Sequence, residues 1–158
     1  MSVMAQTKLF STPEEILDYL HDLMTLNMEQ FGVRFVGYGE ERLIPEYPAI
    51  LVAAGPVTRE VHATHTFQLT LICELWIYHA KLSESHHIRT REDLLLVTAV
   101  REVLHDNLTC PAENGDKQVI FSYVNAEDPA IIRRPRNEAV VGTRCEWNAL
   151  TQERFGRG

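Results

Sequence analysis

The segment Thr66–His79, TFQLTLICELWIYH, constrains this chain more than any other stretch. Read at period two, Phe67, Leu69, Leu71, Cys73, Leu75 and Ile77 fall on one face. A strand with so continuous an apolar face must lie on a hydrophobic core. The opposite face begins polar, with Thr66, Gln68 and Thr70, and ends with Ile72, Glu74, Trp76 and Tyr78. Bulk on that second face needs cover of its own, either from a loop of the same chain or from another subunit.

Two helices are readable from start signals and stripes. Ser11 or Thr12 can cap the first, Pro13 suits its first turn, and Glu14 or Glu15 completes a capping box. Ile16, Leu17, Leu20, Leu23, Met24 and Met28 then recur on one stripe, with Phe31 a turn later and Gly32 as the stop. The second helix is expected from about Thr90 to Asn107, with Thr90 and Asp93 as its capping pair. Its stripe is Leu96, Val97, Val100, Val103, Leu104 and Leu108.

Further strands are expected at Val33–Tyr38, at Ala49–Ala54 up to a stop at Gly55-Pro56, over Val57–His65 as a strand and turn, at Lys117–Ala126 and at Ala139–Thr151. In the last, Ala139, Val141, Thr143, Cys145, Trp147 and Ala149 share a face. Turns separate most of these strands. The fold class is therefore α+β, with a mixed, mostly antiparallel sheet and two amphipathic helices packed on one face. One domain over residues 1–158 is expected, with 1–10 and 154–158 flexible and 127–138 an extended loop.

The net charge is −7, unevenly spread. Residues 1–48 carry eight acids and three bases, whereas residues 129–158 carry three acids and six bases. An acidic body argues against wrapping DNA through its phosphates. No apolar run approaches a membrane span, and the N-terminal residues lack a signal peptide's apolar core, so a cytoplasmic origin is expected.

The residues offer little chemistry. Cys73, Cys110 and Cys145 match neither a disulfide framework nor a zinc motif, and Cys73 and Cys145 read as small core hydrophobes. His62 and His65 lie three apart, which on a strand puts them on opposite faces, and His86 and His87 are adjacent in a polar loop. No metal, no cofactor and no catalytic residues are expected, and adjacent carboxylates such as Glu40 and Glu41 say little. Glu74 is either a solvated strand carboxylate or an interface charge awaiting an arginine. The segment Ile131, Ile132, Arg133, Arg134, Pro135, Arg136 sets three arginines beside two isoleucines. That composition suits a docking surface or a solvated basic tip. The expected contact residues are Ile72, Glu74, Trp76 and Tyr78 on the strand and Ile131, Ile132, Arg133, Arg134 and Arg136 beyond it.

The chain resembles the tail-terminator, or tail-completion, proteins of long-tailed bacteriophages. Three patterns carry the resemblance across roughly Ile16 to Leu150. They are the proline-led YPAILVAAGP, the long LICELWIYH with aromatic residues near its end, and VLHDNLT closing a helix before VIFSYV. The resemblance implies a virion protein that forms a homo-hexameric ring on the head-proximal end of the tail. There it ends tube growth and meets the tail-tube protein and the head-connector or head-closure protein. DNA passes only through the bore, and no membrane is involved. The resemblance also fits another neck protein, such as a head-closure or adaptor subunit. Alternatives of another class are a small cytoplasmic α+β enzyme using a histidine and a nucleic-acid-binding module using the arginines.

Overall fold

Fifteen-residue and longer strands dominate the computed structural model, which describes residues 8–9, 12–39, 43–81, 91–109, 117–134 and 138–154. In chain order the elements are β1 (Lys8–Leu9), α1 (Pro13–Leu26), α2 (Met28–Phe31), β2 (Phe35–Tyr38), β3 (Ala49–Ala63) and β4 (Thr66–Lys81). They continue with α3 (Arg91–Asp106), β5 (Lys117–Gln118), β6 (Phe121–Arg134) and β7 (Glu138–Arg154). The main sheet has five strands in the order β2-β3-β4-β7-β6. β2 runs parallel to β3 and every other pairing is antiparallel. β1 and β5 form a separate parallel pair.

Local chemistry explains the helix ends. Thr12 caps α1 by accepting the Glu15 amide, with Pro13 following in the first turn. Asn27 interrupts the helix before α2: its side chain donates to the Leu23 carbonyl at 2.9 Å. Gly32 then closes α2 in the left-handed conformation, φ 72°. Both long helices cover the same sheet face. Ile16, Leu20 and Met24 of α1 and Leu96, Val97, Val100 and Leu104 of α3 share one core with the inward side chains of β4. Those side chains are Leu69, Leu71, Cys73, Leu75 and Ile77, and β7 adds Cys145, Trp147 and Ala149. The molecule is thus a two-layer α+β fold with a mixed, mostly antiparallel sheet.

Two expectations about strand ends need correction. Gly55-Pro56 does not stop a strand. β3 runs through it to Ala63, with a register shift between Ala54 and Val57. The shift is a bulge, and it requires glycine: a Cβ at position 55 would lie 2.5 Å from the Ile72 carbonyl oxygen. Nor is 127–138 an extended loop. β6 continues through it to Arg134, which pairs with Glu138 at the start of β7. Smaller differences lie at the edges. Lys8–Leu9 is paired in β1, Arg154 ends β7, and the stretch expected as one strand from Lys117 divides into β5 and the start of β6. Thr90, Cys110, Glu40, Glu41, His86 and His87 lie outside the described residues.

Candidate functional site

Among the described residues no helix covers the other sheet face, and β4 runs down its middle. Side chains paired directly across antiparallel strands point to the same side, so the register of β3, β4, β7 and β6 lays out this outer face. It divides into three zones.

At one end lies a second, small core. Ala49, Leu51, Tyr78 and Val140 are buried together, with Phe35, Ile44, Tyr47, Trp76 and Ile132 packed against them. Ile44 and Tyr47 come from the segment leading into β3, so this chain itself covers Tyr78, which is only 5% exposed. The Arg134 guanidinium stands 5.0 Å from the centre of the Tyr78 ring. Burial raises the Tyr78 pKa, against the opposing pull of Arg134. Tyr47 donates its hydroxyl proton to the Glu138 carboxylate at 2.8 Å. Burial first, and that bond to Glu138 second, push its pKa well above the ordinary phenol value. Tyr78, Ile132 and Arg134, three of the expected contact residues, are therefore engaged within their own chain.

The middle zone is charged and internally paired. Arg144 on β7 donates to one Glu74 oxygen at 2.7 Å, and the Trp76 indole donates to the other at 3.0 Å. The bond to Glu74 raises the arginine's already high pKa despite some desolvation. Asp128 on β6 lies 3.6 Å from Arg144, and Asn125 donates to Glu146 at 3.4 Å. Glu74 is accordingly neither a solvated carboxylate nor a charge awaiting an outside arginine. Its cation comes from the neighbouring strand.

The far end carries open aromatic rings among polar neighbours such as Thr70 and Asn148. Phe121 stands across from Leu150, and Tyr123 across from Asn148, which itself faces Ile72. Asn148 donates to the Tyr123 hydroxyl at 3.2 Å. Phe121 and Tyr123 are 46% and 42% exposed, with ring centres 6.0 Å apart. Ile72, half-buried, belongs to this patch. The expectation that it faces outward agrees with its position. Phe121 and Tyr123 escaped the sequence reading because VIFSYV is bulky on both faces, and only the pairing of β6 with β7 decides which residues look outward.

Along β6 the side chains alternate. Ile132 and Arg134 turn to the small core, while Ile131 and Arg133 stay exposed. Arg136 lies outside the described residues.

No family model matches this chain, and no curated protein matches its sequence.

One cluster on the helix side looks chemical at first sight. His79 Nε2 lies 2.9 Å from the Thr143 hydroxyl, and His79 Nδ1 lies 3.5 Å from an Asp93 oxygen. Acid, imidazole and hydroxyl follow the order of a nucleophile with its base and orienting group. All three residues are buried, however, and the void beside them measures about 20 Å³, walled by Leu94, Pro129, Val141 and Gly142. That is room for one water and not for a substrate. The cluster ties the first turn of α3 to β4 and β7. Cys73 and Cys145 are also buried, and burial pushes the Cys145 thiol up to about 12, far from a reactive thiolate. His65 sits exposed in the β3–β4 turn at φ 63°. Among the described residues no three His, Cys, Asp or Glu side chains are placed to share a metal ion, and no helix is long and apolar enough to cross a membrane.

Proposed function

We propose that this chain is a structural subunit of a phage virion. In this reading it forms a ring, hexameric by the resemblance of its sequence to tail terminators, at the head-proximal end of the tail. It ends tail-tube growth there and joins the tube to the head connector, with DNA passing through the bore. The observation that carries the reading is the aromatic patch of Ile72, Phe121, Tyr123 and Leu150, left open at the end of the outer sheet face away from the small core. Monomeric proteins seldom leave paired aromatic rings exposed on a flat strand surface, and such patches mark protein contacts. The charged groups beside it are satisfied within the chain. Binding there requires no dissolved ion pairs, which suits a permanent assembly.

The test is electron microscopy of particles from a phage that carries this gene and from one in which it is deleted. The proposal expects overlong, headless tails without the chain, and the tagged chain at the head-proximal tip of normal tails. Tails of normal length that join heads without it would refute the proposal. A tagged chain found only on the head side of the junction would make it a head-closure or adaptor subunit.

A further inference from the structure

The two flanks of the sheet are chemically opposite. On the β2 flank, Glu14, Asp18 and Asp22 recur every four residues, forming an acidic stripe along α1. Tyr38, at the end of the outermost strand, donates to Asp18 at 2.8 Å and stacks on His21 with ring centres 4.4 Å apart. That side of α1 therefore overhangs the β2 edge. Beside it a cavity of about 530 Å³ reaches from Leu17 on the helix side to the outer face, lined by Gly39, Leu51, Ala53, Ala54, Trp76 and Tyr78. Its lining side chains are mostly apolar, but backbone and ring polar atoms share the exposed wall, and the helix that contributes Leu17 carries the exposed Glu14, Asp18 and Asp22.

The β6 flank has the converse character. Ile131 is 46% exposed, Arg133 is exposed beside it, and both share the helix side of β6 with Pro129. Pro129 and Leu94, at the start of α3, line the same small void, and Leu94 and Leu95 are 57% and 56% exposed. Here an apolar knob stands beside one exposed arginine, Arg133.

We infer that these flanks bind each other between copies: Ile131 of one copy enters the cavity of the next, and Arg133 pairs with the carboxylates of α1. The inference rests on the ring reading above and supplies its subunit contact. The sheet order places the two flanks at opposite edges, which is what a head-to-tail contact needs in order to close a ring. An arginine can meet the acidic stripe with two parallel hydrogen bonds, and the isoleucine adds the desolvated centre that charge alone does not supply. Trp76, on the cavity wall, keeps a contact role, while Arg134 does not because it is held over Tyr78.

The test measures self-association of the full chain by analytical ultracentrifugation. Arg133→Glu and the double variant Glu14→Arg/Asp22→Arg alter exposed side chains and leave Asp18 on Tyr38. Each is expected to weaken assembly at least about thirtyfold, the effect of losing an interface hot spot. Mixing the two variants is expected to restore assembly, because each then presents charge opposite to its neighbour. If either charge reversal fails to fold by circular dichroism, Arg133→Ser and Glu14→Gln/Asp22→Asn replace them with the same expected loss. Wild-type assembly that neither variant disturbs overturns this contact and leaves the ring reading standing. Loss in both variants without rescue on mixing does the same. A wild-type chain that stays monomeric at millimolar concentration overturns both.

Discussion

Glu74 shows how one residue changes meaning with register. In the sequence it is a carboxylate among Ile72, Trp76 and Tyr78, and no nearby residue neutralises it. In the sheet it stands opposite Glu146, and Arg144, diagonal to it on β7 and seventy residues away, donates to it with Trp76 as a second donor. Arg144→Ala is expected to cost about 1–2 kcal/mol, because it strands a partly buried charge. Glu74→Gln in the same chain should recover part of that loss. Thermal or urea unfolding of the double-mutant cycle measures the coupling, and additive losses would show that the pair contributes nothing. The two raised phenols give a pH prediction. The folded chain holds the Tyr47 and Tyr78 protons beyond pH 10.0, the ordinary value, so above it the unfolded chain loses protons first. Stability is therefore full below pH 10.0 and is lost as pH climbs through and past it. A Tyr47→Phe/Tyr78→Phe variant should show a shallower alkaline fall in melting temperature than the parent. An unchanged slope would assign the fall to other groups.

At the scale of elements, the helices and the inner face of β4 were legible because each rests on a local period and a local cap. Thr12, Pro13 and Gly32 act where their chemistry says they should. The strands that defeated the reading did so through proline. Pro56 and Pro129 look like stops, yet Pro56 follows a bulge and Pro129 sits in β6, the last strand of the sheet, whose outer edge can do without one amide donor. The same error turned a regular alternation of Ile131, Ile132, Arg133 and Arg134 into a presumed loop. The bulge gives a test. Gly55→Ala drives a methyl toward a backbone carbonyl that cannot rotate away, and is expected to cost about 1–3 kcal/mol. Gly32→Ala meets no atom within 4 Å, so it pays only for its positive φ, about 1 kcal/mol. Chemical denaturation of both variants checks the order, and equal losses would show that the bulge relaxes around a side chain.

The whole molecule has one face sealed by helices and one shared between a small core, a charged band and an open aromatic end. Folding energy and binding capacity should therefore separate along the normal to the sheet. Trp147 is fully buried under the helices, and Trp147→Ala is expected to cost about 3–5 kcal/mol, enough to threaten the fold. Phe121 and Tyr123 lie on the open face and are nearly half exposed. Changing both to Ser forfeits the part of each ring that folding buries, a little over half. The variant is expected to stay folded and to lose about 1–3 kcal/mol, less than Trp147→Ala. It should nonetheless lose the function that depends on that surface. If the patch seats on the tail tube, subunits carrying both substitutions still associate with one another through their flanks but no longer cap tubes, and tails grow overlong. Flank and face thus make separable predictions. On the proposed ring reading, charge reversal at Arg133 is expected to weaken association and capping together, whereas Phe121→Ser/Tyr123→Ser is expected to weaken capping alone. Co-sedimentation with tubes, read beside self-association by ultracentrifugation, distinguishes them. A Phe121→Ser/Tyr123→Ser variant that melts far below the parent would place the rings in the folding core. One that caps tubes normally would leave the aromatic patch without a part in the junction.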